Sequence, residues 1–129
     1  MNDGDKARLG LAKRLRELAD NSSEAQLRAS LSRSYYSIYH AAKVLLDNVH
    51  HHNIAKELGG IDPKLGEDVE VLRKLRDQAD YDPALVGREF GGDQDLFRGE
   101  VKKQVDKGLT VFRRILRELE NKEESGGGA

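Results

Sequence analysis

The sequence predicts an all-α protein, an up-and-down bundle of four main helices with a short fifth piece. Two observations favour this class. Apolar residues recur every three or four positions over long stretches separated by short polar breaks, and no stretch alternates in the manner of a half-buried strand. The 129 residues have the size of one domain. We place that domain at residues 1–122 and expect a disordered tail at 123–129.

Composition and charge exclude several classes of function. Charged residues make up 35% of the chain, but the net charge is only -1, so any contact with nucleic acid requires a local basic patch. The absence of Cys excludes disulfides, thiolate metal sites and a Cys nucleophile. The first five residues are acidic and polar, unlike a signal peptide, and no apolar run approaches the ~20 residues that cross a bilayer. We therefore expect a cytoplasmic protein without membrane contact.

The first two helices are predicted from their apolar spacing. The first covers about residues 5–19, and its core face is expected to hold Ala7, Leu11, Leu15, Leu18 and Ala19. A polar break follows, in which Ser22 or Ser23 can cap the next helix. The second helix, about residues 24–49, carries the most regular apolar pattern of the chain. Its core stripe comprises Leu27, Leu31, Tyr35, Ile38, Ala42, Leu45 and Val49.

The rest of the chain is predicted to hold two further long helices. Residues 50–65 are irregular, with a possible short helix at about 53–58 that stops at Gly59-Gly60. The third long helix begins at Lys64 or Glu67 and ends at Tyr81, because Pro83 disfavours helical geometry in the residue before it. Its inward positions are Val69, Leu72, Leu75 and Ala79. A glycine-containing loop is expected at 84–93. A last helix is expected at about 93–120, with Phe97, Val101, Val105, Leu109, Phe112, Leu116 and Leu119 inward.

The second helix has another unusual face, opposite its core stripe. At ~100° per residue, Arg33, Tyr36, Ser37 and His40 fall on that side. A merely solvated face carries Glu and Lys more often. We therefore expect this face to pack against the third or fourth helix or against a second copy of the chain. Arg33 and His40 are two turns apart and point the same way, about 10 Å from each other along the axis.

Two stretches of the sequence resemble the HEPN domains, small helical proteins often encoded beside minimal nucleotidyltransferases. Residues 32–46 read SRSYYSIYHAAKVLL and are similar to the N-terminal signature of that family. Residues 75–82 read LRDQADYD and resemble the Arg-x-x-Ala-Asp-Tyr ending of its third main helix. The matching positions include Tyr35, Tyr36, Arg76, Asp80 and Tyr81. The resemblance covers roughly residues 7–119.

The resemblance implies a HEPN-like bundle that forms a homodimer and acts in a two-gene, toxin–antitoxin-like module with a nucleotidyltransferase-like partner. The implied ligand is RNA or a nucleotide, contacted by Tyr36 and Ser37, with no metal and no cofactor. Many family members cleave RNA without metal through an Arg and a His, which correspond here to Arg33 and His40. The chemistry suits these residues: a His can move a proton at a ribose hydroxyl, and an Arg can hold the phosphate.

Two other functions remain open, and with them the question of whether the chain is an enzyme. In one, the protein is a non-catalytic interaction module that binds the partner or a nucleotide. Arg33 then forms a structural ion pair with Asp80, whose carboxylate lies near a helix C-terminus and needs a cation. In the other, the chain is a helical scaffold without a ligand.

Two basic or histidine-rich segments have a plain interpretation and a functional one. We interpret His50, His51 and His52 as a solvated helix end rather than a metal site, because adjacent helical residues do not share a face. The last helix is locally basic, which favours a solvated face first and an RNA-contacting edge second. The residues that make it locally basic are Lys102, Lys103, Lys107, Arg113, Arg114 and Arg117.

Overall fold

A computed structural model describes residues 1–17 and 24–126, and these residues form six helices and no strand. The predicted all-α class is confirmed. The helices are α1 (Asp3–Glu17), α2 (Glu24–Leu45), α3 (Ile54–Ile61), α4 (Pro63–Tyr81), α5 (Leu85–Phe90) and α6 (Gln94–Gly126). None of these helices is both long and apolar enough to cross a bilayer.

Helix α2 contacts most of the other helices. It packs against α1, α4 and α6, while α3 lies on α4 and α5 lies on α6. The predicted core stripe of α2 and the segment after it is confirmed, since all seven of its side chains are at most 9% exposed. The four inward positions predicted for α4 are buried as well. On α6, Leu109 and Leu116 are half-buried and the other predicted core residues are buried.

The predicted stop at Gly59-Gly60 is wrong, because α3 continues through both glycines to Ile61. The reason is close packing. A Cβ on Gly66 of α4 would lie 2.9 Å from the Gly59 Cα atom and 2.5 Å from the carbonyl oxygen of Ala55. Glycine serves here to let two helices approach rather than to end one of them. Helix α2 ends at Leu45, short of the predicted residue 49, and Asn48 follows with a left-handed φ of 58°.

The loop predicted at 84–93 contains α5, which buries Leu85 and Val86. Gly91 ends this helix in the left-handed conformation, with φ of 60°. Helix α6 continues past its predicted end at residue 120 as far as Gly126. Helical structure thus extends into the tail expected to be disordered at 123–129, of which residues 127–129 lie outside the described part.

The predicted core face of α1 is wrong at Ala7 and Leu11. Ala12 is fully buried and Leu9 packs against the core, whereas Leu11 is 44% exposed and Ala7 is exposed. Helix α1 has two overlapping apolar faces, and its contact with α2 selects the one with Leu9 and Ala12. The Leu15 side chain, Leu18, Ala19, Ser22 and Ser23 lie outside the described residues.

Candidate functional site

The second face of α2 is covered by two helices. The expected packing against α4 is found at Tyr36, whose hydroxyl accepts a hydrogen bond from Nη2 of Arg76 at 2.9 Å. The other covering helix is α1, which sequence reasoning did not consider. Its Arg8 places Nη1 2.9 Å from Nδ1 of His40. The chemistry of this face therefore depends on residues from α1 and α4 as well as α2.

Six side chains form what we call the His–Tyr–Arg cluster: Arg8, Tyr36, Tyr39, His40, His51 and Arg76. The Tyr36 and His40 ring centroids are 6.1 Å apart. The His51 ring stacks on Tyr39 at 3.8 Å with an interplanar angle of 15°. The Arg76 guanidinium lies 4.9 Å from the Tyr36 ring centroid, within range of a cation–π contact. The cluster joins elements that are far apart in sequence.

His40 is held in its neutral form. A guanidinium can only donate hydrogen bonds, so His40 accepts at Nδ1 and carries its ring proton on Nε2. Burial lowers the pKa of His40 below its usual value, and the charges of Arg8 and Lys43 lower it further. The group that His40 presents to its surroundings at neutral pH is therefore an N–H donor.

His51 is exposed, as expected for a solvated residue, but it lies in the segment between α2 and α3 rather than at a helix end, and its ring also contacts the cluster. Its Nδ1 is 2.8 Å from the hydroxyl of Tyr35. Burial raises the pKa of that hydroxyl, so Tyr35 stays neutral. Burial and then the charge of Arg76 lower the pKa of His51. The cluster thus contains a second neutral imidazole.

The two neighbours of His51 are solvated as well. His50 and His52 are exposed, and their rings stack on each other at 5.6 Å. Within the described ranges, no group of three or more His, Asp or Glu side chains is arranged to hold a metal ion.

Residues 75–82 supply one of the two arginines of the cluster, Arg76, and the counterions of that arginine. Nε of Arg76 is 3.0 Å from Asp80 and Nη1 is 2.8 Å from Asp77, and the Arg76 side chain is only 13% exposed. The carboxylate of Asp80 thus has a cation on its own helix, and the pair of Asp80 with Arg33 stays a prediction. Tyr81, the last residue of the motif, is 80% exposed.

Arg28 of α2, which the sequence analysis did not mention, places its guanidinium at the C-terminal end of α4. Its Nη1 donates to the carbonyl oxygens of Ala79 at 2.7 Å and Asp82 at 3.0 Å. A guanidinium here satisfies carbonyls that a helix end leaves unpaired and interacts favourably with the helix dipole.

The other two predicted site residues of α2, Arg33 and Ser37, differ in burial. Arg33 is half-buried, two helical turns before His40. Ser37 is fully buried, and its hydroxyl donates to the carbonyl of Ser34 at 2.7 Å. Contact between Ser37 and a ligand stays a prediction, one that this burial disfavours.

The sequence analysis did not place Arg8 or His51 at this face of α2. Both reach the cluster only because α1 and the segment after α2 fold back over α2, and no periodic pattern encodes that. A weak signal existed in the three Tyr of α2, since buried hydroxyls require partners from elsewhere in the chain.

Comparison of the chain with family models, with curated proteins and with solved structures finds no match. Its function must therefore be inferred from the geometry and electrostatics of its own residues.

Proposed function

We propose that this protein is a HEPN-like RNA- or nucleotide-binding component of a two-gene module with a nucleotidyltransferase-like partner. The observation that carries the proposal is the excess of positive charge around the His–Tyr–Arg cluster. Among the described residues, Arg8 and Lys43 have no carboxylate partner, and both adjoin rings of the cluster. Uncompensated cations beside aromatic rings are the combination that binds phosphates and bases.

Phosphate is the part of the ligand that this cluster suits best. The Arg8 guanidinium offers further N–H groups besides the one that bonds His40. His40 offers a neutral Nε2–H donor next to it. Charge-assisted bonds from an arginine to phosphate oxygens are among the stronger hydrogen bonds in proteins. In the proposal, Arg8 and His40 hold one phosphate, and Tyr36 lies beside the attached nucleoside.

RNA cleavage adds a proton transfer to this binding mode. His40 would take the proton of a ribose 2′-hydroxyl at Nδ1, so Arg8 must first leave Nδ1 and move to the phosphate. Arg33 would stabilise the charge that develops on the phosphate. In a homodimer, Arg33, Tyr36 and His40 of two copies would line one groove. The 2′-oxygen would attack the phosphorus while the bond between the phosphorus and the 5′-oxygen breaks, and the proton taken by His40 would pass to that leaving oxygen. No metal takes part.

A second candidate function, binding without cleavage, is favoured by one specific contact. As long as Arg8 donates to Nδ1 of His40 at 2.9 Å, the lone pair needed by a general base is occupied. In that case, the chain binds a nucleotide or its protein partner as a non-catalytic module.

The test measures both binding and cleavage of a labelled single-stranded RNA in EDTA. Four proteins purified in the same way are compared: wild type, His40→Ala, Arg8→Gln, and His52→Ala as a matched control outside the cluster. Cleavage by wild type and His52→Ala that is lost in His40→Ala supports the nuclease. Binding without cleavage by wild type, weakened in Arg8→Gln, supports the second candidate. Absence of both binding and cleavage overturns the proposal.

The proposed homodimer has its own measurement. Light scattering should give a mass near twice the 14.4 kDa of the chain. A monomer at the concentration used for cleavage would remove the shared groove from the mechanism.

A further inference from the structure

A groove between the first turn of α4 and the second half of α6 contains more positive than negative charge. Its volume is about 300 Å³. Four basic and two acidic side chains line it: Lys64, Arg113, Arg114, Arg117, Asp62 and Asp68. None of these residues belongs to the His–Tyr–Arg cluster.

The two carboxylates of the groove already have cations of their own. Asp62 lies 3.4 Å from Nη1 of Arg114, and Asp68 lies 3.2 Å from Nζ of Lys64. Nε of Arg114 also bonds Glu118 at 2.9 Å. Ion pairs within the groove therefore neutralise Lys64 and Arg114, but not Arg113 and Arg117.

Arg113 and Arg117 are exposed, and neither has an ion-pair partner within the part of the chain that the structure describes. They are one helical turn apart, about 6 Å along the axis. Like charges four residues apart destabilise a helix. A ligand with successive negative charges would relieve that repulsion, which a single carboxylate could do only in part.

We infer that this groove binds the phosphodiester backbone of an RNA strand, with Arg113 and Arg117 each contacting a phosphate. The inference rests on the proposed function, because it takes RNA as the ligand. On α4, Lys64 and Arg76 are twelve residues apart, about 18 Å along the axis. A mononucleotide bound at the cluster therefore does not reach the groove, whereas an RNA of many nucleotides does.

The experiment measures the salt dependence of RNA binding. The probe is a fluorescein-labelled 20-nucleotide oligouridylate with 2′-O-methyl riboses, which cannot be cleaved through the 2′-hydroxyl. Fluorescence anisotropy gives the affinity over a series of KCl concentrations. The test variant is R113Q/R117Q. The matched control is K103Q/K107Q, which removes the same charge at the same spacing on α6, outside the groove. Binding of uridine 3′-monophosphate is measured in parallel to report on the cluster.

Each phosphate contact on a single strand contributes about 0.7 to the slope of log affinity against log salt concentration. We expect R113Q/R117Q to lower the magnitude of that slope by about 1.4 and to leave mononucleotide binding unchanged. The control should change the slope by much less.

Other outcomes separate the groove from the cluster. An unchanged slope in R113Q/R117Q, or an equal change in the control, overturns the groove while leaving the cluster in place. A loss of mononucleotide binding in R113Q/R117Q also overturns the groove, because these arginines then act through the fold. A lowered slope in a protein that does not bind the mononucleotide supports the groove and overturns the cluster. A wild type that binds neither probe overturns both.

Discussion

The two faces of α2 are closed in different ways. Toward α6, small residues allow the backbones to approach, and a Cβ on Gly108 would lie 2.6 Å from Oγ of Ser34. Toward α1 and α4, the face is closed by long polar side chains, with Arg8 on His40 and Arg76 on Tyr36. The first kind of contact fixes helix positions by shape. The second leaves hydrogen-bonding groups near the surface, where a ligand can compete for them.

The glycine contacts should dominate stability, and the largest effect is expected at Gly66. The Gly66→Ala variant places a Cβ against the backbone of α3, where nothing flexible can move aside. We expect a loss of about 3 kcal/mol in the free energy of unfolding, at the upper end of overpacking costs. Urea denaturation followed by circular dichroism measures it.

The matched control for Gly66 is Gly60→Ala on α3, where a Cβ has no neighbour within 4 Å. This change should stabilise the protein by up to about 1 kcal/mol through helix propensity. Equal changes in the free energy of unfolding of the two variants would contradict a tight steric contact between α3 and α4.

Gly108→Ala tests the corresponding contact of α2 with α6, and its cost should be smaller. The nearest obstacle is the Ser34 hydroxyl, a small side-chain group that has no hydrogen-bond partner in the described structure. We expect a loss of about 2 kcal/mol. Adding Ser34→Ala should recover much of it, because the clashing oxygen is gone. Purely additive effects of the two changes in a double-mutant cycle would show that this contact is not the cause.

Tyr36→Phe tests a contact of the His–Tyr–Arg cluster. It removes the oxygen that accepts from Arg76 while keeping the ring, so we expect a loss of about 1 kcal/mol in the free energy of unfolding. The control Tyr81→Phe makes the same chemical change at an exposed position. It should alter the free energy of unfolding by no more than about 0.5 kcal/mol. A larger cost at Tyr36 than at Gly66 would reverse the comparison between the two kinds of contact.

The smallest predicted effect is a dependence of stability on pH. His40 and His51 have pKa values lowered in the folded protein from the usual 6.5. Below about pH 6.5, the unfolded chain therefore binds more protons than the folded one, and stability falls as the pH drops toward the folded-state pKa values. The variant H40Q/H51Q should lose less stability than wild type between pH 7.5 and pH 5.5 in urea titrations. A steeper loss in the variant would mean that these histidines are charged in the folded state.

The sequence allowed good prediction of elements whose burial is periodic. The stripe from Leu27 to Val49 repeats often enough that one face must be buried, whatever covers it. α1 was predicted less well, because Leu9 and Leu11 support two faces and only the contact with α2 decides between them. The helix end predicted at Gly59 was wrong for a similar reason. A glycine at a close contact between two helices and a glycine at a helix end look the same in the local sequence.

The candidate site was predictable only in part. Tyr36 and His40 stand out from the second face of α2 because of helical geometry alone. Arg8 and His51 come from segments whose return path over α2 is set by packing. The roles of Arg33, as a catalytic group or in an ion pair with Asp80, stay predictions.

Arg28 bears on how any future set of related sequences should be interpreted. Its guanidinium joins the start of α2 to the end of α4 through carbonyls more than fifty positions away. Its second terminal nitrogen, Nη2, also donates to the carbonyl oxygen of Pro83 at 3.4 Å, and a lysine with its single nitrogen does not reproduce this fork. An arginine that never changes among relatives would usually be taken as a mark of catalysis. At position 28, an invariant arginine would instead reflect the packing of α2 against α4. Invariant residues therefore indicate catalysis only when they have no such structural role.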